Sequence, residues 1–198
     1  MSNNTSTERG WLTPTSGDPD YDEALDRLLS RWMRNVSGLP AGMVRPRWQK
    51  NQPPLPPVET NWCAFGVTGL LIDNNPAFTN QTDEGAQLWR HETFECMASF
   101  YGPAGMSYAF RFYAMAYLSR KINAELNALG LSLGDYTGLT PFPELINQQW
   151  VRRYDMTVRL RRKVVREYGI KSLVEAPVTF FRRINYDAGL TCIQRCKR

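Results

Sequence analysis

A single histidine, His91, is all the imidazole this 198-residue chain carries, and only four cysteines accompany it. Both scarcities narrow the chemistry. A structural zinc site takes about four nitrogen or sulfur ligands. Cys192 and Cys196, in TCIQRCKR, stand four apart near a polar end with no second pair to complete a knuckle. Free thiols are therefore expected, with no metal and no disulfide framework. Long apolar runs are missing too. None reaches the roughly 18–20 residues of a membrane-spanning helix, and the opening MSNNTSTERG lacks the apolar core of a secretory signal. The expectation is a protein that folds in a cytoplasm, away from membranes.

The usual catalytic signatures do not occur: no G-x-S-x-G elbow, no phosphate loop ending in Lys-Ser/Thr, no H-E-x-x-H, no G-x-G-x-x-G. With one histidine, few nucleophile–base pairs can be drawn. His91 sits beside Glu92 in an alternating segment, the setting of a surface or interface residue. Gly102–Pro103–Ala104–Gly105 reads as a strand-to-helix turn rather than a phosphate cradle. Glu92 and Glu95 have no placement that argues acid–base work. The chain reads as a non-enzyme with no cofactor.

What is present is ordinary for a soluble domain: 42% hydrophobic and 22% charged residues, with a formal net charge of +5. Residues 1–18 read as a flexible arm, 19–183 as one α+β domain and 184–198 as a basic tail. DPDYDEALDRLLSRWMRNVSGLP predicts a helix. Asp20 and Glu23 suggest a capping box, Tyr21, Leu25, Leu28, Trp32 and Val36 form an apolar stripe, and Gly38 ends it. Pro53, Pro54, Pro56 and Pro57 flank Leu55 in an extended segment. That block reads as a stiff connector, or else as the ligand of an SH3-type groove.

Thr60 to Asp73 reads as a buried strand. Ala86 to Gly102 reads as a long strand with Phe94, Cys96, Ala98 and Phe100 on its apolar face. A second helix is expected from Pro103 to about Leu129, with Met115, Leu118, Ile122, Leu126 and Leu129 inward. Its aromatics, Tyr108, Phe110, Phe112, Tyr113 and Tyr117, encircle the first half, so that half is either buried on several sides or an interface. The element order predicts a largely antiparallel sheet packed with two main helices.

WVRRYDMTVRLRRKVVREYG, Trp150 to Gly169, holds seven basic and two acidic residues. Trp150, Tyr154, Met156, Val158 and Leu160 recur with period two, whereas Arg161 would interrupt a helical apolar face. The stretch is a strand with one apolar and one charged face, and a basic recognition helix is excluded. The charges could keep the face solvated, pair with a neighbouring subunit, or attract phosphate backbones without sequence preference. The last use would make the chain a non-sequence-specific nucleic-acid-binding module.

DYDEALDRLLSRWMRNVSGLPAGMVRPRWQKNQPPLPPVETNWCAFGV is similar to the opening of a family of tailed-bacteriophage neck or tail terminator proteins. RHETFECMASFYGP resembles the middle of that family, and PFPELINQQWVRRYDMTVRLRRKVVREYGI its C-terminal strands. The resemblance runs from Asp20 to Arg183 and leaves both ends outside. It implies a structural subunit of the virion, made in the host cytoplasm and placed at the tail–neck junction. Six copies would close into a ring (a homohexamer) that binds the tail tube protein, halts tube polymerisation, and offers a surface to the neck, connector or stopper protein. A sheath and DNA passing through the channel are further candidate partners. On this reading Arg153, Arg159, Arg161 and Lys163 face a neighbouring subunit or the channel, and Pro53, Pro54, Leu55, Pro56 and Pro57 join neighbours.

Overall fold

The computed structural model describes residues 2–3, 9–118, 124–128, 130–170, 180–185 and 191–196. The first helix, α1, spans Asp22–Ser37 and follows the short parallel pair β1 (Ser2–Asn3) and β2 (Trp11–Leu12). Then come β3 (Val44–Pro46), β4 (Trp62–Ile72), β5 (Ala77–Thr79) and β6 (Ala86–Tyr101). Two more helices, α2 (Gly105–Leu118) and α3 (Ala124–Ala128), precede β7 (Leu131–Tyr136), β8 (Thr140–Pro141), β9 (Glu144–Ile146) and β10 (Gln149–Val151). The chain closes with β11 (Arg153–Tyr168), β12 (Phe180–Asn185) and β13 (Thr191–Cys196).

The expected fold class holds: α+β, with a mostly antiparallel sheet and two main helices. The seven-stranded sheet runs β3-β4-β6-β11-β7, with β5 also on β6 and β8 also on β11. Only the β3–β4 pair in it is parallel. Its spine is β6 against β11, paired without a break from Arg153↔Tyr101 to Tyr168↔Ala86. Period-two patterning dictates that spine. Phe94, Cys96, Ala98 and Phe100 share a buried face with Met156, Val158 and Leu160, as cross-strand partners must.

Both helices cover that face. Trp32 of α1 meets Phe112 of α2 edge-on at 5.3 Å, and Phe112 packs on Phe100 at 5.6 Å. The α1 stripe is as expected, with Leu29 and Met33 added, and Gly38 ends the helix at φ 75 with its N–H donating to the Arg34 carbonyl. Its start differs. No side chain caps the helix, and Tyr21 is the N-cap residue. Tertiary partners outcompete the capping box: the Asp20 carbonyl accepts from Arg162 Nη1, and the Tyr21 hydroxyl donates to Glu92.

Other expectations shift in phase. In α2 the inward residues are Ala109, Phe112 and Ala116, while Met115 is exposed; Leu126 is buried as expected, but on α3. The side chains of Leu118, Ile122 and Leu129 lie outside the described residues. Asn61 Oδ1 accepts from the Ala104 N–H and so caps the start of α2. Gly102 has φ 105, and a Cβ there would lie 2.5 Å from the Thr60 carbonyl oxygen. Trp150 is exposed in the β9–β10 hairpin, with Val151 buried instead. Arg152 separates that hairpin from β11, so the alternation starts afresh at Arg153.

β4 is buried from Trp62 to Gly66 but open beyond it. Its buried half is covered on the second face by a small cluster of Trp62, Ala64, Tyr101 and Val151, with Val58 and Ile146 packed against it. Past Gly66 that cover ends, which leaves Leu71 exposed at 63%, and on the helix side of the sheet Leu70 and Ile72 are exposed at 45 and 43%.

Candidate functional site

The charged face of β11 lies opposite the helices. Arg153, Asp155, Thr157, Arg159, Arg161 and Lys163 alternate along it, so the sequence reading places these side chains correctly. Their partners divide them. Arg153 is largely buried: Nε bonds Asp155 at 2.8 Å and Nη1 bonds Glu144 at 3.0 Å. Its guanidinium also lies 5.1 Å from the Phe142 ring centroid and 5.7 Å from that of Tyr101. Arg159 reaches Glu95 at 2.8 Å and Asp135 at 3.2 Å. Both arginines are thus neutralised within their own chain.

Arg161 and Lys163 are exposed. Arg161 lies across Gly134, whose missing Cβ would meet Arg161 Nε at 2.9 Å. Lys163 sets its ammonium 3.7 Å from the Trp89 ring centroid and stands opposite His91 in the register. This end of the sheet face carries the positive charge that the chain does not neutralise by a described ion pair.

The proline block is on the same side of the sheet but at the other end. Pro54, Leu55 and Pro57 are exposed, whereas Pro53 and Pro56 are half-buried. The Pro54 carbonyl accepts from Arg45 Nη1 at 2.8 Å. Leu55, Pro56 and Pro57 line a groove of about 200 Å³ together with Trp62, Ile146 and Val151. The block covers the small cluster on the second face and still presents Leu55 outward. The structure does not bring it together with the Arg161–Lys163 patch.

Two features escaped the sequence reading, and another was left open by it. Arg162 and Glu92 are buried and joined at 2.8 Å, with both side chains 5% exposed. Their signal was present: each sits in the apolar phase of its strand. Around them, the Arg162 guanidinium lies 4.3 Å from the Tyr21 ring centroid and 4.8 Å from that of Phe94. The second feature is an outward stripe on α2. Met106, Phe110 and Tyr113 are exposed at 49, 50 and 36%, one helical turn apart. The interface reading of the α2 aromatics is therefore the one their exposure favours, with Phe112 the one fully buried among those whose side chains are described. The third is the open half of β4.

A groove of about 800 Å³ runs between α1 and residues 46–51, with Asp22, Asp26, Arg31, Arg34 and Trp48 among its walls. Burial, then the neighbouring carboxylates of Asp22 and Glu23, pushes the Asp26 carboxyl above its ordinary pKa. Among the described residues no cluster of His, Cys, Asp and Glu could hold a metal, and no helix is long and apolar enough to cross a membrane. Burial also pushes the thiols of Cys63 and Cys96 up, the latter to about 12, which suppresses the thiolate that nucleophilic chemistry needs. Exposed apolar stripes, unbalanced charge and open strand edges are instead the materials of protein assembly.

A family model described as phage neck terminator protein matches residues 23–184. A search of curated proteins finds no match.

Proposed function

Because the chain belongs to the phage neck terminator protein family, and so is a structural tail-terminator component of the virion, we propose that it closes into a six-membered ring at the head-proximal end of the tail. The ring binds the last ring of the tail tube, ends its polymerisation and gives the neck its docking surface. The family match over both main helices and the whole sheet is the observation that carries this reading. The surface supports it. A ring of heterologous contacts needs two different adhesive faces on each subunit, and the α2 stripe and the open half of β4 lie on different flanks of the sheet.

Arg161 and Lys163 face a neighbouring subunit or the channel in this reading, and the Leu55 end of the proline block meets a neighbour. Arg153 and Arg159 serve the chain's own fold first. Their internal pairing weakens the alternative of a nucleic-acid-binding module, since counterion release requires cations not already neutralised. Among the described residues on the charged face of β11, Arg161 and Lys163 are the ones left for transient contact with DNA in the channel. Adding the purified chain to polymerising tail tube protein tests the proposal. Growth should stop at a length set by the time of addition, and growth that continues unaltered would overturn it.

A further inference from the structure

The sheet has two open edges, and they stand at the same height. With β6 as the ruler, residues 92–96 face residues 67–72 of β4 on one side, Val67↔Cys96 to Ile72↔Glu92. Across β11, the same span of β6 is level with residues 131–136 of β7. β3 pairs with β4 only up to Phe65, and the sheet path ends at β7. Among the described residues, no backbone group outside the sheet pairs with residues 67–72 or 131–135. Three antiparallel steps separate β4 from β7, so the two edge strands run in opposite directions.

These edges suit one another. Translated around a ring without inversion, β4 of one copy meets β7 of the next in the antiparallel sense, over about 20 Å of strand. The Asp73 N–H donates to the His91 carbonyl at 2.9 Å. Antiparallel alternation therefore turns the N–H of Leu71 toward β6 and those of Leu70 and Ile72 outward, ready for a new partner. The side chains agree. Leu70 and Ile72 point to the face shared with Phe94 and Glu92, yet among the described residues no helix covers them. α1 lies over the β3 side, where Ser30 bonds the Val44 carbonyl, and α2 lies over the β7 side, where Tyr113 meets Tyr136 at 4.7 Å. Beside β7, then, α2 carries exposed Tyr113, with Phe110 one turn before it, on the sheet face where an incoming Leu70 and Ile72 would arrive level with Leu133 and Leu131.

We infer that the edge of β4 at residues 67–72 is the docking site for a second copy of this chain, which adds its β7 edge and shelters Leu70 and Ile72 beneath its α2. The neighbouring subunits thereby share one continuous sheet. This rests on the ring reading above and names the contact that closes the ring.

The test uses the full-length chain with purified tail tubes. Leu71 and Ser132 are level and on the same, helix-free face of the sheet. A Leu71→Cys/Ser132→Cys double variant under mild oxidant should give covalent oligomers, because directly opposed strand residues have Cα atoms about 4.5–5.5 Å apart, within disulfide reach. Neither single variant should. Leu70→Pro removes an outward N–H without touching a bond to β6, as edge strands tolerate. It should keep the wild-type circular dichroism and melting curve while losing rings at tube ends. Rings that form in the double variant without cross-linking, or in Leu70→Pro as in wild type, would overturn the edge contact and leave the ring intact. Wild-type protein found only as monomer, free and with tubes, would refute the ring itself and the edge contact with it.

Discussion

Arg162 and Glu92 show what one residue can fix in this molecule. Each breaks the apolar pattern of its strand, and their register places them directly opposite. Buried charges are tolerated when paired, and removing one partner costs far more than the pair contributes. Glu92→Ala should destabilise the chain by about 3–5 kcal/mol in urea unfolding. A loss below about 1 kcal/mol would mean the pair is solvated like an exposed ion pair. Periodicity alone flags both residues as exceptions, but only the register, across 70 residues of chain, makes them partners. Cys96 was legible as an apolar-face residue and Cys63 fell within an expected buried strand, and their raised pKa makes a second prediction. At pH 8 both thiols should stay unlabelled by a thiol reagent in peptide maps of native protein, and label fully in urea. Rapid native labelling of either would contradict their burial. Arg161 makes the third prediction: Arg161→Glu should leave the melting temperature unchanged and weaken assembly, whereas equal loss of both would deny it an interface role.

Elements were easier to read than their faces. The long strands β6 and β11 follow from period two, since a single-residue slip would turn every apolar side chain to the wrong face. One helix was expected from Pro103 to about Leu129; that span holds α2 to Leu118 and the short α3, and Met115 of α2 faces outward where it was expected inward. Aromatic and methionine side chains surround α2, and the choice of face is made by what it packs on, Trp32 and Phe100, not by its own pattern. The capping box at α1 failed for a similar reason, as a local preference worth about 1 kcal/mol gave way to contacts with Arg162 and Glu92. The two faces of α2 separate in a mutational comparison. Phe112→Ala should cost about 3–5 kcal/mol of folding stability. Phe110→Ala should fall within roughly 0.5 kcal/mol of wild type yet reduce assembly. If Phe110→Ala destabilises the isolated chain as much as Phe112→Ala, the exposed stripe is not a docking surface.

At the scale of the whole molecule, the sheet divides into a protected half and an open half. Helices cover one face of the protected half, and the proline block with the β9–β10 hairpin covers the other. The open half carries apolar side chains on β4, positive charge at Arg161 and Lys163, and edges that no other described strand pairs with. The charged phase of Arg161 and Lys163 was legible as spacing, but the open half of β4 and the free edges were not, because exposure depends on where neighbouring elements stop. Such a subunit is complete as a fold and incomplete as a surface, which is what a ring component requires. Electron microscopy of tail tubes incubated with the purified chain reads this most directly. The expected image is a single six-fold ring at one end of each tube, with subunits touching through both flanks of their sheets. Tubes that carry no ring at either end, or that bind the chain all along their length, would contradict it.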